Sequence, residues 1–290
     1  MSAGRLRMRD VVAEQFRYVA LAARRETLVM LVVFVVASIA MFNTIVSDGI
    51  VVDFDPENDY VFPVLGFLLP FALWKERDRQ ATAHFWVLPV EHRRHALARF
   101  FAGWLWLMLI VVLVTSWVAA FVVASGGSFT PVAERLVLRA AEWPANPTLA
   151  HFDAVMACSP WWGWLAPITA STIAYTLTSA FVLATRSPLQ WLVGIVVGVL
   201  LLGFATAEGA FEVLHRLLSP LLRYPWGLDT VIAGGENSLN TVLPGPTGEQ
   251  IRVWRGLPEF HAWLKATLLW AAVAAACLWA ATLRLRERSS

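Results

Sequence analysis

The sequence predicts an all-α membrane protein: six transmembrane helices, an amphipathic interfacial helix at the N-terminus, and both termini in the cytoplasm. Three observations carry that prediction. The 290-residue chain is 58% hydrophobic but only 15% charged, with a mean hydropathy of +0.60. Soluble domains carry about 25% charged residues, so this chain has too little charge to face water on all sides. Six separate segments are apolar enough to cross a hydrocarbon core, which takes about 20 residues in a helix. The basic residues, finally, concentrate on alternate sides of those segments.

The elements follow in order. Residues 1–26 are polar and basic, and the apolar run behind them is longer than a signal-peptide core, so the first span is expected to stay as an anchor. Within 8–25, Met8, Val11, Val12, Phe16 and Val19 share one helical face, and Arg9 and Arg17 lie off it. This pattern predicts a helix lying on the cytoplasmic leaflet, its arginines among anionic head groups. The expected spans are 27–47, 58–74, 100–124, 162–185, 189–207 and 263–283. Pro63 and Pro70 are expected to kink the second. Pro188, in "TRSPL", separates the fourth from the fifth by a tight turn. Residues 27–284 thus form a single transmembrane domain, with a cytoplasmic loop at 75–99, outer segments at 125–161 and 208–262, and a cytoplasmic tail at 285–290.

Orientation rests on Lys and Arg. The N-terminus, 75–99, the turn at 186–188 and the C-terminus together hold sixteen of the 23 basic residues. The longer, alternate set holds the remaining seven, so the first set is cytoplasmic. The first outer loop, "DGIVVDFDPEND", has five acids and no base, which agrees. In the last outer segment, leucines 214, 217, 218, 221 and 222 recur at helical spacing and predict a helix on the outer surface. "IAGGENSLNTVLPGPTGE" after it reads as loop.

Catalytic chemistry is sparse. No confident span centre holds an Asp, Glu, Lys, Arg or His, which weighs against an intramembrane protease and against a carrier with buried carboxylates. His92 and His95 share a helix face beside Glu91, but Arg93 and Arg94 repel a cation there and no Cys joins them, so no metal site is expected. His151, Asp153 and Ser159 are triad residue types, yet a triad is a geometry and no G-x-S-x-G elbow is present. No phosphate-binding G-x-x-x-x-G-K-[ST] loop occurs. Cys158 and Cys277 make no disulfide framework. The net charge of +2 does not suggest nucleic-acid binding.

Two span features have two readings each. Gly194 and Gly198 form G-x-x-x-G in the fifth span, where small residues let helices approach closely, within one subunit or across a dimer seam. Thr169, Thr172, Thr176 and Ser179 place hydroxyls along the fourth span. They bond their own helix and glue neighbours, or they line a translocation path.

The cytoplasmic loop holds "KERDRQATAHFWVLPVEHRRHALARFF". It divides at Pro89 into a short helix with Phe85, Trp86 and Leu88 as its apolar patch, and a climb into the third span. Aromatics among charges on an exposed helix are the makings of a docking surface. Glu76-Arg77, Thr82, Leu88-Pro89-Val90 and Arg93-Arg94 together resemble the inner loop of type-2 (exporter-class) ABC transporter permeases. Ala81 stands where a Gly is usual there, and Glu91-His92 where a Ser often does. The layout is similar across nearly the whole chain.

The resemblance implies a non-catalytic permease subunit in the cell membrane, with no cofactor of its own. ATP and Mg would be bound by a separate ATPase subunit, and a second permease copy or a related permease would complete the path. Glu76, Arg77, Thr82, Phe85, Trp86, Pro89, Arg93 and Arg94 would couple the chain to that ATPase. A rival expectation from another class is a membrane-embedded scaffold or sensor whose inner loop recruits a cytoplasmic partner without transport.

Overall fold

The computed structural model describes residues 8–22, 24–49, 51–53, 61–74, 92–139, 144, 147–185, 187–205, 226–233, 240–245 and 249–287. In chain order they form α1 (Met8–Ala22), α2 (Arg24–Asp48), α3 (Val61–Trp74), α4 (His92–Ser125), β1 (Val132–Leu138), β2 (Phe152–Cys158), α5 (Ala166–Ala184), α6 (Pro188–Ala205), α7 (Leu228–Ala233), β3 (Asn240–Pro244), β4 (Gln250–Trp254) and α8 (Phe260–Glu287). Each apolar run expected to span falls on a helix: α2, α3, α4, α5, α6 and α8.

Among the described residues, three stretches are long and apolar enough to cross a membrane: Ala96–Ser125, Trp161–Ala184 and Phe260–Arg284. The second combines a 3₁₀ turn, Trp161–Leu165, with α5. The 14 residues of α3 reach only about 21 Å, short of a hydrocarbon core about 30 Å thick. Pro63 sits in the first turn of α3, where a missing N–H costs nothing. The helix runs on through Pro70 to Trp74.

The fold is not all-α. Residues within 125–161 and 208–262 build one four-stranded sheet of order β2-β1-β4-β3. β1 and β2 pair antiparallel from Val132↔Cys158 to Leu138↔Phe152, and β3 and β4 pair antiparallel. The two hairpins join through a parallel β1–β4 contact at Leu136↔Val253 and Val137↔Trp254. Residues 240–244, read from sequence as loop, are thus strand β3. The sheet has one apolar face, with Leu138, Phe152, Leu243 and Val253 buried and Leu136 and Ile251 packed against them. The leucine-rich face at 214–222 lies outside the described residues.

The sheet fixes one end of the helix assembly. α4 runs into β1 through a turn at Gly126, whose φ of 73° suits glycine. The Val52 N–H donates to Ser125 Oγ (3.0 Å) and the Ser128 N–H to Asp53 Oδ1 (2.8 Å), which ties the segment after α2 to the end of α4. α5 and α8 start at this same end. There Trp162 stacks on Trp263 (5.0 Å) and Trp161 on Phe260 (6.0 Å). Trp164 Nε1 donates to Phe129 O (3.4 Å), and Trp270 Nε1 to Trp226 O (2.7 Å). Rings with a polar edge suit a boundary between an apolar and a wet layer, and this cluster lies where helices meet sheet.

α5 is the central helix. It opens with Pro167 in its first turn, where φ is preset and no donor is lost, and stops at Thr185, which is extended. α3, α4 and α8 pack around it, burying Ile173, Tyr175, Ala180, Val182 and Leu183. On α1, Val19 is fully buried, and Phe16 sets its ring edge-on against Trp106 of α4 (5.5 Å). Arg17 stays exposed, opposite Glu14 at 3.9 Å.

Candidate functional site

The described residues concentrate buried polar contacts at the end of the bundle remote from the sheet, where α3 stops and α4 begins. Arg99, 6% exposed, sits two turns into α4. Its Nη2 donates to the carbonyl of Leu73, and its guanidinium lies over the Trp74 ring at 5.0 Å. The last carbonyls of a helix have no partner within it and carry the negative end of its dipole. Arg99 therefore caps α3 from a neighbouring helix. One turn on, Gly103 admits Tyr175 and Leu73: a Cβ at this position would collide with Tyr175 Oη and lie 2.5 Å from Leu73 Cδ1. The fully buried Tyr175 donates its hydroxyl to Phe100 O (3.0 Å) and sets its ring 5.2 Å from that of Phe100. The chain of contacts runs α3, Arg99, Phe100, Tyr175, α5.

This junction brackets residues 75–91. Glu76, Arg77, Thr82, Phe85, Trp86 and Pro89 lie in that segment, outside the described residues. Arg93 falls in the first turn of α4, but its side chain is outside the described set, as are those of His92 and His95. Arg94 is exposed on the same turn.

The hydroxyl residues of α5 divide by partner. Thr169 Oγ1 donates to Leu165 O and Ala166 O (both 3.1 Å), and Thr176 Oγ1 to Thr172 O (2.7 Å), so both satisfy their own helix. Thr172 reaches across the seam: its Oγ1 accepts from Trp104 Nε1 of α4 (3.2 Å) and lies 3.8 Å from Met108 Sδ. Ser179 is fully buried one turn beyond Tyr175. Among the described residues, Gly194 and Gly198 meet nothing within 4 Å, so no described helix packs closely over them. Gly66 of α3 instead lies against helix backbone: a Cβ there would collide with the Ser171 carbonyl oxygen of α5.

At the sheet, the triad residue types do not converge. Asp153 is held by Arg139, whose Nε donates to Oδ2 (3.0 Å) and Nη2 to Oδ1 (2.5 Å). His151 Nδ1 takes the Thr148 N–H (3.1 Å) and faces Thr148 Oγ1 (2.9 Å). Ser159 is buried just past β2, about 26 Å along the strand from His151 at 3.3 Å per residue. Cys158 and Cys277 are both free and exposed.

Through its bonds and its charge, the Arg139 guanidinium holds the Asp153 carboxyl below the usual carboxylate range, and Asp153 raises Arg139 in turn. A depressed carboxylate contributes stability above its ordinary pKa, near about 4, and loses it as pH falls through the lower folded value. The pair is exposed, so the contribution is small. Asp153→Asn is expected to remove that acid-side step, read as faster hydrogen exchange of β1–β2 amides at neutral pH and a flatter profile below about pH 4.

Long apolar helices, a tryptophan-rich boundary and a compact sheet at one end are compatible with a membrane protein. No family model, curated protein or solved structure matches the chain.

Proposed function

We propose that the chain is the permease subunit of an ABC exporter, working in a cell membrane beside a separate ATP-hydrolysing subunit. In this reading α2, α3, α4, α5, α6 and α8 are six spans, both termini are cytoplasmic, and 75–99 faces the ATPase. The supporting observation is the bracket around that loop. Leu73 and Trp74 on its near side are bonded to Arg99 on its far side, and Arg99 adjoins the Phe100–Tyr175 contact with α5. A push on the loop would move α3, α4 and α5 together, as rigid elements that switch between discrete arrangements.

Phe85 and Trp86 would fill apolar hollows of the ATPase, and the charges of Glu76, Arg77, Arg93 and Arg94 would set register, with Thr82 on the same coupling surface and Pro89 ending the docking helix. Two permeases facing one another would enclose the path, with Thr169, Thr172, Thr176 and Ser179 on the helix that moves. Cargo of this class includes peptides, lipids, glycans, antibiotics and ions leaving the cell.

The test is purification of the tagged chain from its native membranes, with mass spectrometry of what accompanies it. A Walker-motif ATPase is the expected companion. Trp86→Ala combined with Arg93→Glu is expected to release it and to abolish stimulation of its ATP hydrolysis by the permease. A kinase or other regulator in place of the ATPase would overturn the transporter reading in favour of a recruiting scaffold. An ATPase bound equally well by the double variant would overturn the coupling assignment.

A further inference from the structure

A cavity of about 430 Å³ runs between α3, α5, α6 and α7, within the size range of ligand sites. Its walls include Pro63 and Phe67 of α3, Leu177 of α5, and Leu192 and Ile195 of α6, and Val231 of α7 lines its sheet end. Thr178 is the one hydroxyl-bearing residue among those lining it.

The cavity exists because α6 stands off its neighbours. Helices joined by so short a turn ordinarily pack along one another. Here Leu189, Trp191, Val193, Ile195 and Val197 are 45–62% exposed. Among the described residues, protein thus covers little of these α6 side chains, and none fills the gap between α6 and α5.

Three properties define what fits. Among the described residues the lining offers no charge and almost no hydrogen bond, so water is poorly held there. Along α5 the lining runs from Ala170 to Phe181, about 16 Å at 1.5 Å per residue, close to half of a hydrocarbon core about 30 Å thick. The same stretch belongs to Trp161–Ala184, one of the segments long and apolar enough to span a membrane; in a membrane, acyl chain would surround the opening. We infer that this cleft holds one hydrocarbon chain of a membrane lipid, seated between α5 and α6 and spanning the depth of one leaflet. The inference rests on membrane placement alone and is independent of the transporter reading.

The experiment uses the full chain in phosphatidylcholine nanodiscs doped with a phosphatidylcholine carrying a mid-chain diazirine. After irradiation, labelled residues are mapped by mass spectrometry. Label is expected to concentrate on Phe67, Leu177, Leu192 and Ile195, above the level at Leu109 and Leu113 of α4, which are exposed on an outer face. Ala174→Trp fills the cleft from the α5 wall and is expected to remove that excess while leaving label on α4 unchanged. Ile195→Trp fills it from the α6 wall and serves if the first variant does not fold. Label in the cleft no denser than on α4, or undiminished by the fillers, overturns the inference. So does a photo-crosslink from α6 to a second copy or to residues 206–225, because protein would then occupy the space.

Discussion

Arg99→Met is expected to destabilise the chain by about 3 kcal/mol, the order lost when a charge-assisted hydrogen bond and a desolvated cation–π contact go together. Met matches the length of the stem but supplies no donor. The Leu73 carbonyl at the end of α3 loses its cap in a place where little water can replace it. The Trp74 face loses the guanidinium above it. Arg99→Lys keeps the charge but not the planar fork that bonds and stacks at once, so less than half of the loss should be recovered. Arg17→Met is the control: that side chain is exposed and faces Glu14 at 3.9 Å, a pair worth little. Equilibrium unfolding in mixed micelles ranks the three. Equal effects of Arg99→Met and Arg17→Met would mean the cap contributes nothing. Under the proposed function the junction also transmits force, so Arg99→Lys should let a partner ATPase hydrolyse ATP while transport falls.

Long apolar runs made the helices legible. In α4, α5 and α8 the apolar stretch is long enough to favour a span; the limits of α5 and α8 lie within four residues of the expected ones, and α4 starts eight residues early, at His92. The sheet was not legible, for a physical reason. Its strands have five to seven residues, and "VAERLVL" and "FDAVMAC" do not alternate cleanly. The pairing that unites the hairpins, β1 with β4, joins residues more than a hundred positions apart. Local pattern cannot carry such a contact. In α1 periodicity groups Phe16 and Val19 on one face but does not say what meets them; Trp106 of α4 lies against Phe16.

Arg99 was counted as a loop base that sets orientation. A signal was there: an arginine flanked by "HALA" and "FFAGWLW" sits where an exposed base would be out of place, and a cation at such depth is expected to have a partner. Which partner, only the fold tells. The hydroxyl stripe of α5 was legible as a stripe, but its division into self-bonded Thr169 and Thr176 and bridging Thr172 depends on Trp104 arriving from α4. The glycine pair drew attention for its spacing, whereas among the described glycines the one set against the backbone of a neighbouring helix is a lone glycine in α3, Gly66.

That lone glycine carries the second large effect. Gly66→Val is expected to separate α3 from α5. A Cβ there meets the Ser171 carbonyl oxygen, and beyond it the Ser171 carbonyl carbon and Cα at 3.2 Å. Backbone atoms inside a helix cannot rotate aside as a side chain can, so the whole of α3 must shift. The shift would break the packing of Phe71 on Phe181 (6.5 Å) and lift Leu73 and Trp74 off Arg99. Overpacking alone costs about 1–3 kcal/mol, and Val should reach or exceed the upper value because its branch adds a second collision. Gly66→Ala regains about 1 kcal/mol of helix propensity and should still destabilise. Gly103→Ala should cost less, because its obstacles are the tips of Tyr175 and Leu73. There the measurable loss is the Tyr175 bond to Phe100 O. Gly194→Ala meets nothing within 4 Å and should stabilise by up to about 1 kcal/mol. The expected order of stability in mixed micelles is therefore Gly194→Ala, Gly103→Ala, Gly66→Ala, Gly66→Val. A Gly66→Ala protein as stable as Gly194→Ala would show that α3 and α5 are not held at backbone contact. Under the proposed function, the coupling from loop 75–99 to α5 would then lose its stiffest link.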